Sequence, residues 1–455
     1  MADQTFPPTP ILYQNLTKTL TLLDIPMSIA HAQGTIDHPC TDQIYASPPL
    51  RMPYPSTEPK TEKAKINVLR TKASSDTDAE FPEALLRRGL REVTEHWHLG
   101  GCWCLPRKMS PLIRGRHSKK RKADNDINQA SVLQRRDSDH ASNALLPASK
   151  AETEEELGIL SSKTEPDLEI PETEISSRSI REPLILSSES TPKAYTCSSI
   201  RVIANTLVGN PYSTPLSFQC AGVNYKIPPN ARFLLSEIGE ATAPAFSMAA
   251  LTTYPSASAT AGQGQFDFVL LDPPWENRSV RRSARYKTMH DSDPMLVLRA
   301  MLGQHIAPGA LVACWITNKA SVRDTALEAF QAWDVQLVEE WAWLKTTAGG
   351  LPISQIDGLW RKPFEVLLLG RKGSDEAQKS DGQFRRKIIV AVPDVHSRKP
   401  HLKILMEPFL PGDYRALEVF ARTLTAEWCS WGDEVLKHNW EGHWYTHEAS
   451  KRSIL

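Results

Sequence analysis

The sequence predicts an α/β fold in which helices cover both faces of a mainly parallel sheet. Two observations carry this prediction. From residue 265 onward, apolar segments of strand length alternate with segments of helical periodicity. The apolar segments lack the polar positions of a half-exposed strand, as expected for parallel strands buried on both faces. With 455 residues, the chain is long enough for such a core and for accessory regions.

Five apolar segments are the strand candidates of this region, and two segments are amphipathic at helical spacing. The predicted strands are 266–272, 309–317, 341–346, 365–370 and 387–392. The predicted helices are 322–333 and 414–424.

The chain before residue 265 has a different character. Residues 11–24 predict two short strands around a polar turn, and 81–97 predict an amphipathic helix. Further short strands are expected within 200–210 and 225–238. We therefore divide the chain into an accessory region 1–105, a disordered linker 106–195, a small β-rich domain 196–264 and a catalytic domain 265–455.

The linker prediction depends on composition. Basic and acidic blocks alternate there, and Ser, Thr, Glu and Pro dominate, so little apolar area is available to offset chain entropy. Lys119–Lys122 is either a nuclear-import signal or a solvated charge run.

Bulk properties exclude some classes of protein. The formal net charge is zero, so any nucleic-acid surface must come from local clusters of Arg and Lys. Seven cysteines without a repeating spacing suggest reduced thiols in an intracellular protein. No secretory signal or membrane-spanning run is evident, and we expect a soluble protein with no membrane partner.

Asp272, Pro273, Pro274 and Trp275 directly follow the first buried strand. Ligands of open α/β sheets bind beyond the carboxyl ends of strands, so this tetrapeptide predicts an active site. The prolines cannot continue the strand ladder, and they hold the backbone carbonyls in fixed directions.

The tetrapeptide resembles the catalytic DPPW signature of eukaryotic N6-adenine methyltransferases. Its continuation over 275–286 is similar to the branch called methyltransferase-like protein four, and the resemblance extends over about 200–440. It implies a Rossmann-like core that is permuted, with the target-amine half first and the S-adenosylmethionine half last. The absence of a G-x-G-x-x-G loop after the first strand agrees with this order.

The resemblance also implies roles for particular residues. Asp272 and the Pro273 carbonyl would accept the two N–H groups of the target amine, and Trp275 would stack on the base. Residues implied in cofactor binding are Asp272, Lys399, Glu418, Phe420, Arg422 and Asp433. Residues implied in substrate binding are Asn277, Arg278, Arg281, Arg282, Arg285, Tyr286, Trp315 and Lys345.

One position departs from the family pattern, and two further groups of residues need an interpretation. Asp433 stands where relatives carry Asn, so an amide donor is lost there. The four arginines that follow Trp275 predict phosphate contacts. His96, His98, Cys102 and Cys104 have spacing that is unusual for zinc, so we predict no metal.

Three functions remain in competition. The favoured one is methylation of adenine N6 in nucleic acid, with RNA as the expected substrate and the nucleus as the expected location. The resemblance implies 2′-O-methyladenosine of small nuclear RNA as the target and no obligate methyltransferase partner. DNA is the alternative substrate. The rivals are a non-catalytic nucleic-acid-binding member of the same fold and a nucleotide-binding metabolic enzyme.

Overall fold

The structure is a computed structural model. It describes residues 9–56, 58–59, 61–63, 65–66, 81–97, 101–110, 183–186, 195–253, 261–275, 293–359, 361–373 and 384–446. In these ranges no helix has the length and apolar character needed to cross a membrane.

Strands dominate the described residues. In chain order they are β1 (Ile11–Gln14), β2 (Leu20–Leu23), β3 (Gln43–Ile44), β4 (Leu184–Ile185), β5 (Tyr195–Cys197), β6 (Leu207–Gly209), β7 (Leu216–Cys220), β8 (Val223–Ile227), β9 (Arg232–Leu235), β10 (Phe266–Leu271), β11 (Ile306–Ile316), β12 (Val335–Lys345), β13 (Phe364–Lys372), β14 (Arg385–Ala391), β15 (Ala416–Val419), β16 (Cys429–Gly432) and β17 (Trp444–Tyr445).

Twelve of these strands form one central sheet, in the order β1-β2-β14-β12-β13-β11-β10-β15-β16-β9-β6-β4. The strands from β11 through β10, β15 and β16 to β9 are all parallel. Strand β13 runs antiparallel to both of its neighbours, β11 and β12. The predicted α/β class with a mostly parallel sheet is confirmed.

The sheet has a topological switch point beside β10. The next strand in the chain, β11, pairs with one edge of β10, whereas β15 pairs with the other edge and leads away through β16. Loops leaving the carboxyl ends of β10 and β15 therefore diverge, and the crevice between them is the usual ligand position in this class of fold.

Helices lie on both faces of the sheet. They are α1 (Ile25–Ala32), α2 (Glu83–His96), α3 (Ala243–Thr253), α4 (Pro294–Met301), α5 (Ala320–Ala332) and α6 (Lys403–Met406). Val269 and Leu271 belong to the same core layer as residues of α2 to α5, and Phe268 and Leu270 to the layer that contains residues of α1 and α6. Alternate side chains of β10 thus enter opposite layers of the core, which explains why its sequence is continuously apolar.

One predicted helix is wrong. Residues 414–424 have helical apolar spacing, yet Ala416–Val419 is strand β15, and a loop follows it. This strand lies between β10 and β16 with both faces buried. A buried strand of four residues is too short to show an alternating pattern. Together with the apolar residues before and after it, it gave a spacing that resembles one face of a helix.

The accessory elements agree with several predictions. The two strands expected within 11–24 are β1 and β2, and the helix expected over 81–97 is α2. Strands β6 and β9 join the central sheet, whereas β5, β7 and β8 form a separate sheet. The predicted boundary between 264 and 265 therefore runs through one continuous sheet.

The predicted disordered linker is too long at both ends. The Arg107 guanidinium donates to the carbonyls of Val392 and Pro393, each at 2.7 Å. Near the other end, β4 pairs with β6. The segments around Arg107 and β4 are short, so they hardly change the average composition of the linker, and the composition did not reveal them. Residues 111–182, with Lys119–Lys122, lie outside the described residues, as do residues 254–260.

Candidate active site

The tetrapeptide Asp272–Trp275 directly follows β10 and is hydrogen-bonded to the neighbouring strands β15 and β11. The Asp272 backbone N–H donates to the Val419 carbonyl at 3.3 Å. The Trp275 N–H donates to the Pro273 carbonyl at 2.8 Å, which forms a tight turn. The Trp275 indole N–H donates to the Trp315 carbonyl at 2.7 Å. These bonds attach the turn to the ends of both β15 and β11.

The Asp272 carboxylate lies between two cations. Lys399 Nζ is 3.2 Å from Asp272 Oδ1, and Arg422 Nη1 is 3.5 Å from Asp272 Oδ2. Lys399 belongs to the loop after β14, and Arg422 follows β15. The carboxylate is therefore oriented by groups from both sides of the crevice.

Lys399 also contacts Glu365, near the start of β13. Its Nζ is 2.5 Å from Glu365 Oε2, and Lys345 Nζ is 2.5 Å from Glu365 Oε1. Burial alone would raise the pKa of Glu365, but the two lysines hold that pKa well below its usual range. Burial would lower the pKa of Lys399, but Asp272 and Glu365 raise it. Both groups are therefore charged at neutral pH.

Arg422 continues this pattern on the other side. Its Nε donates to Glu434 Oε2 at 2.8 Å, and Lys437 donates to Glu434 Oε1 at 2.6 Å. Positive and negative groups thus alternate across the carboxyl edge of the sheet. We call this set the charge chain: Lys345, Glu365, Lys399, Asp272, Arg422, Glu434 and Lys437.

A small cavity opens beside Asp272. Its lining includes Trp315, Lys399, Glu418, Phe420 and Arg422. It also includes residues without a predicted role, namely Ile29, Ser397, Arg398, His401, Thr423 and His438.

Glu418 is the unusual acid of this cavity. Its Oε2 atom is shielded from solvent and has no hydrogen-bond partner among the described residues. Burial, together with the negative charge of Asp272, raises the pKa of Glu418 to about 8. Phe420, two residues later, has a φ of 61°, a left-handed conformation that is uncommon outside glycine. Buried polar atoms without hydrogen-bond partners and residues with strained backbone angles are both common at functional sites.

The structure brings six of the predicted residues around one cavity, namely Asp272, Trp315, Lys399, Glu418, Phe420 and Arg422. Pro273, Pro274 and Trp275 form the adjoining turn. Lys345 does not line the cavity but contacts Glu365, which in turn binds the lining residue Lys399. Asp433 is exposed directly after β16 and is not among the lining residues. The remaining predicted substrate contacts lie outside the described residues: Asn277, Arg278, Arg281, Arg282, Arg285 and Tyr286.

Sequence reasoning missed two kinds of residue. Glu365 has no predicted role, because the two lysines that contact it in the structure, Lys345 and Lys399, lie far from it in the sequence. His438 and Thr423 gave no signal, because each is a single polar residue in an otherwise unremarkable segment.

Two further groups of residues in the sequence can be located in the structure. The basic run 385–387 is largely neutralised, since Arg386 pairs with Glu340 and Lys387 with Glu339. Among the described residues, no group of His, Cys, Asp and Glu is arranged to hold a metal ion. His98 of the considered zinc set lies outside those residues.

Comparison with known proteins gives a consistent result. A family profile named MT-A70 matches residues 266–434. The chain is 42% identical over 185 residues to the N6-methyladenosine RNA methyltransferase MTA1 of Cryphonectria parasitica, covering 39% of this chain and 54% of the relative. It is 35% identical over 225 residues to the human N(6)-adenine-specific methyltransferase METTL4, covering 48% and 44%.

A third relative differs in the nucleic acid that it is named for. It is the DNA N6-methyl methyltransferase of Caenorhabditis elegans, 34% identical over 161 residues, covering 35% of this chain and 42% of the relative. The chain thus spans about half the length of the relatives it matches.

Proposed function

Since this chain carries an MT-A70 domain over residues 266–434, we propose that it is an S-adenosylmethionine-dependent methyltransferase acting on adenine N6 in RNA. One observation carries the proposal. The Asp272 carboxylate lies at the switch point of the sheet, oriented by Lys399 and Arg422. It borders a cavity with an acid whose Oε2 atom has no hydrogen-bond partner among the described residues.

The cavity fits the chemistry of the methyl donor. That molecule carries an α-carboxylate, an α-ammonium and a sugar with two hydroxyls. Lys399 and Arg422 would attract the carboxylate, and Asp272 the ammonium. The free Oε2 of Glu418 would accept a hydrogen bond from the sugar, as acids do in dinucleotide sites. The charged groups and the unpaired acceptor thus match the charged and hydroxylated ends of one ligand.

When bound, the cofactor supplies an electrophilic methyl group. The residues of the chain position the amine that attacks it. Asp272 would accept one N–H of the amine, which directs the nitrogen lone pair toward the methyl donor. The Pro273 carbonyl already accepts the N–H of Trp275, and its second lone pair would accept the other amine N–H. As the C–N bond formed and the bond between the methyl group and the donor sulfur broke, the amine nitrogen would become cationic. Asp272 would stabilise this positive charge until the nitrogen released a proton to solvent.

RNA is the proposed polymer because relatives with 42% identity are named as RNA methyltransferases. Within RNA, we propose 2′-O-methyladenosine of small nuclear RNA as the target and the nucleus as the location, on the resemblance of the segment after Trp275. DNA is the alternative, since the relative from Caenorhabditis elegans is named for it.

Asp272→Asn tests the proposed mechanism. The amide keeps the size of the side chain but loses the negative charge beside the amine. We expect transfer from labelled S-adenosylmethionine to an RNA oligonucleotide to fall on the order of 10²–10⁴-fold. S-adenosylhomocysteine should still bind the variant in calorimetry, because Lys399 and Glu418 remain. Parallel reactions with unmodified RNA, 2′-O-methylated RNA and DNA identify the substrate.

Asp334→Asn is the matched control. Asp334 is exposed before β12, at the opposite edge of the sheet, and its φ of 58° suits Asn equally well. The control should keep full activity. Normal turnover in Asp272→Asn would refute the role of this carboxylate. Cofactor binding by the wild-type protein without transfer to any of the three nucleic acids would favour a non-catalytic function.

A further inference from the structure

His438 is a buried residue of the cavity that the proposed mechanism does not use. It lies in the 3₁₀ turn Lys437–Asn439 after β16, and only 3% of it is exposed. Its backbone is held firmly, because its N–H donates to the Arg422 carbonyl at 2.9 Å and its carbonyl accepts from Trp444 Nε1 at 2.8 Å. Neither nitrogen of its ring has a hydrogen-bond partner among the described residues.

Two other buried histidines, His401 and His305, differ from His438 because both nitrogens of each ring have hydrogen-bond partners. His401 lines the same cavity, and its Nε2 is 2.8 Å from Thr425 Oγ1, while its Nδ1 accepts from the Lys403 N–H at 3.2 Å. On the far side of the sheet, His305 Nδ1 is 2.8 Å from the Gly264 carbonyl, and its Nε2 is 3.2 Å from Ser247 Oγ. A buried imidazole without partners costs stability, and the exceptions concentrate at functional sites.

The surroundings restrict what this ring can bind. Burial lowers the pKa of His438 well below its usual value, and the nearby Arg398, His443, Lys437 and Arg422 lower it further. The imidazole is therefore neutral, with one nitrogen donating and the other accepting. The surrounding positive charge disfavours a cationic ligand group such as an ammonium, whereas a hydroxyl can both accept and donate.

We propose that His438 hydrogen-bonds to a sugar hydroxyl of the nucleoside cofactor and so contributes to its recognition. The inference rests on the proposed function. It places two unpartnered polar groups of one cavity, His438 and Glu418 Oε2, on the same part of the ligand.

His438→Leu should weaken cofactor binding without lowering stability, whereas the loss of a purely structural residue would lower stability. The leucine removes an unsatisfied polar group, so thermal unfolding of the ligand-free protein should be unchanged or occur at a higher temperature. Calorimetry should show S-adenosylhomocysteine binding about five- to tenfold more weakly, the loss of roughly one hydrogen bond. His438→Gln, which keeps a donor and an acceptor, should recover part of the affinity.

His305→Leu is the control. It removes a buried histidine whose ring is fully hydrogen-bonded, so it should lower the unfolding temperature and leave S-adenosylhomocysteine affinity unchanged. A second ligand, 5′-methylthioadenosine, lacks the amino-acid end of the cofactor. His438→Leu should weaken its binding by the same factor.

Other outcomes overturn the inference. Unchanged affinity of His438→Leu for both ligands would remove His438 from the binding site. Weaker binding of S-adenosylhomocysteine alone would place His438 at the amino-acid end of the cofactor. In both cases the proposed function stands, because the wild-type protein still binds S-adenosylhomocysteine. Failure of the wild-type protein to bind it would instead refute the proposed cofactor.

Discussion

Glu365 shows how a single residue far from the tetrapeptide can control the site. It contacts neither Asp272 nor the tetrapeptide turn, yet it holds Lys399, whose Nζ reaches Asp272 and also lies 5.0 Å from the Trp315 ring centroid. A lysine side chain has large rotamer freedom. The carboxylate of Glu365 removes that freedom, so Lys399 is presented to the cavity in one orientation.

Glu418 gives the protein a specific dependence on pH. Its pKa is raised to about 8 in the folded state, whereas an unfolded Glu titrates near about 4.3. Between these values the folded protein holds a proton that the unfolded chain has released. The stability of the ligand-free protein should therefore fall as pH rises through this window.

Glu418→Gln removes this titration. We expect the unfolding temperature of the variant, relative to wild type, to increase steadily from pH 5 to pH 8.5. Differential scanning fluorimetry at fixed ionic strength measures the difference. Glu328→Gln serves as the control at an exposed position on α5. A constant difference between Glu418→Gln and wild type across this range would contradict the assignment.

At the scale of elements, the segment before the linker is anchored to the loop after β12. The Trp103 N–H donates to the Ala348 carbonyl at 2.9 Å. Gly350, in the same loop, has a φ of 84°, and a Cβ atom added there would overlap the Trp103 indole. This contact lies a few residues beyond Lys345, so it supports one end of the charge chain.

Gly350→Ala should therefore destabilise the protein for two reasons. Alanine disfavours the positive φ, and its Cβ atom would overlap the Trp103 indole. Gly101→Ala is the matched control, because its φ of 70° imposes the same conformational cost with nothing within 4 Å of the added atom. We expect the control to lose about 1–2 kcal/mol of unfolding free energy. Gly350→Ala should lose a further 1–3 kcal/mol, roughly the cost of overpacking. Equal losses in urea denaturation would show that the indole moves aside freely.

The sequence predicted those strands and helices that can be recognised from the spacing of apolar residues within the element itself. The buried strands around β10 and the helices α2 and α5 were all predictable from apolar spacing. Strand β15 was not, because a four-residue central strand has no period of its own. The contact of Glu365 with Lys399 was also hidden. It requires β13 to lie antiparallel between β11 and β12, an order that differs from the order of these strands in the chain.

At the scale of the molecule, two replacements distinguish the role of the linker from the role of the structured segments at its two ends. Replacing 111–182 with a flexible Gly/Ser linker should leave methyl transfer intact, because the linker composition offers little to a packed core. Replacing 106–195 removes Arg107 and β4 as well, and should lower the unfolding temperature by several degrees. Loss of transfer in a folded protein lacking only 111–182 would reveal a role for that segment.

The position of β2 has a consequence for synthesis in the cell. Its neighbour in the sheet is β14, with Leu20 opposite Ile388, so the two strands leave the ribosome far apart in time. At about 5–20 residues per second, the nascent β2 waits on the order of tens of seconds for this partner. Its side chains Leu20, Leu22 and Leu23 are buried in the finished protein, and during that interval they lack the neighbours that β14 supplies. Slow translation should therefore increase the dependence of this chain on chaperones that shield nascent apolar strands.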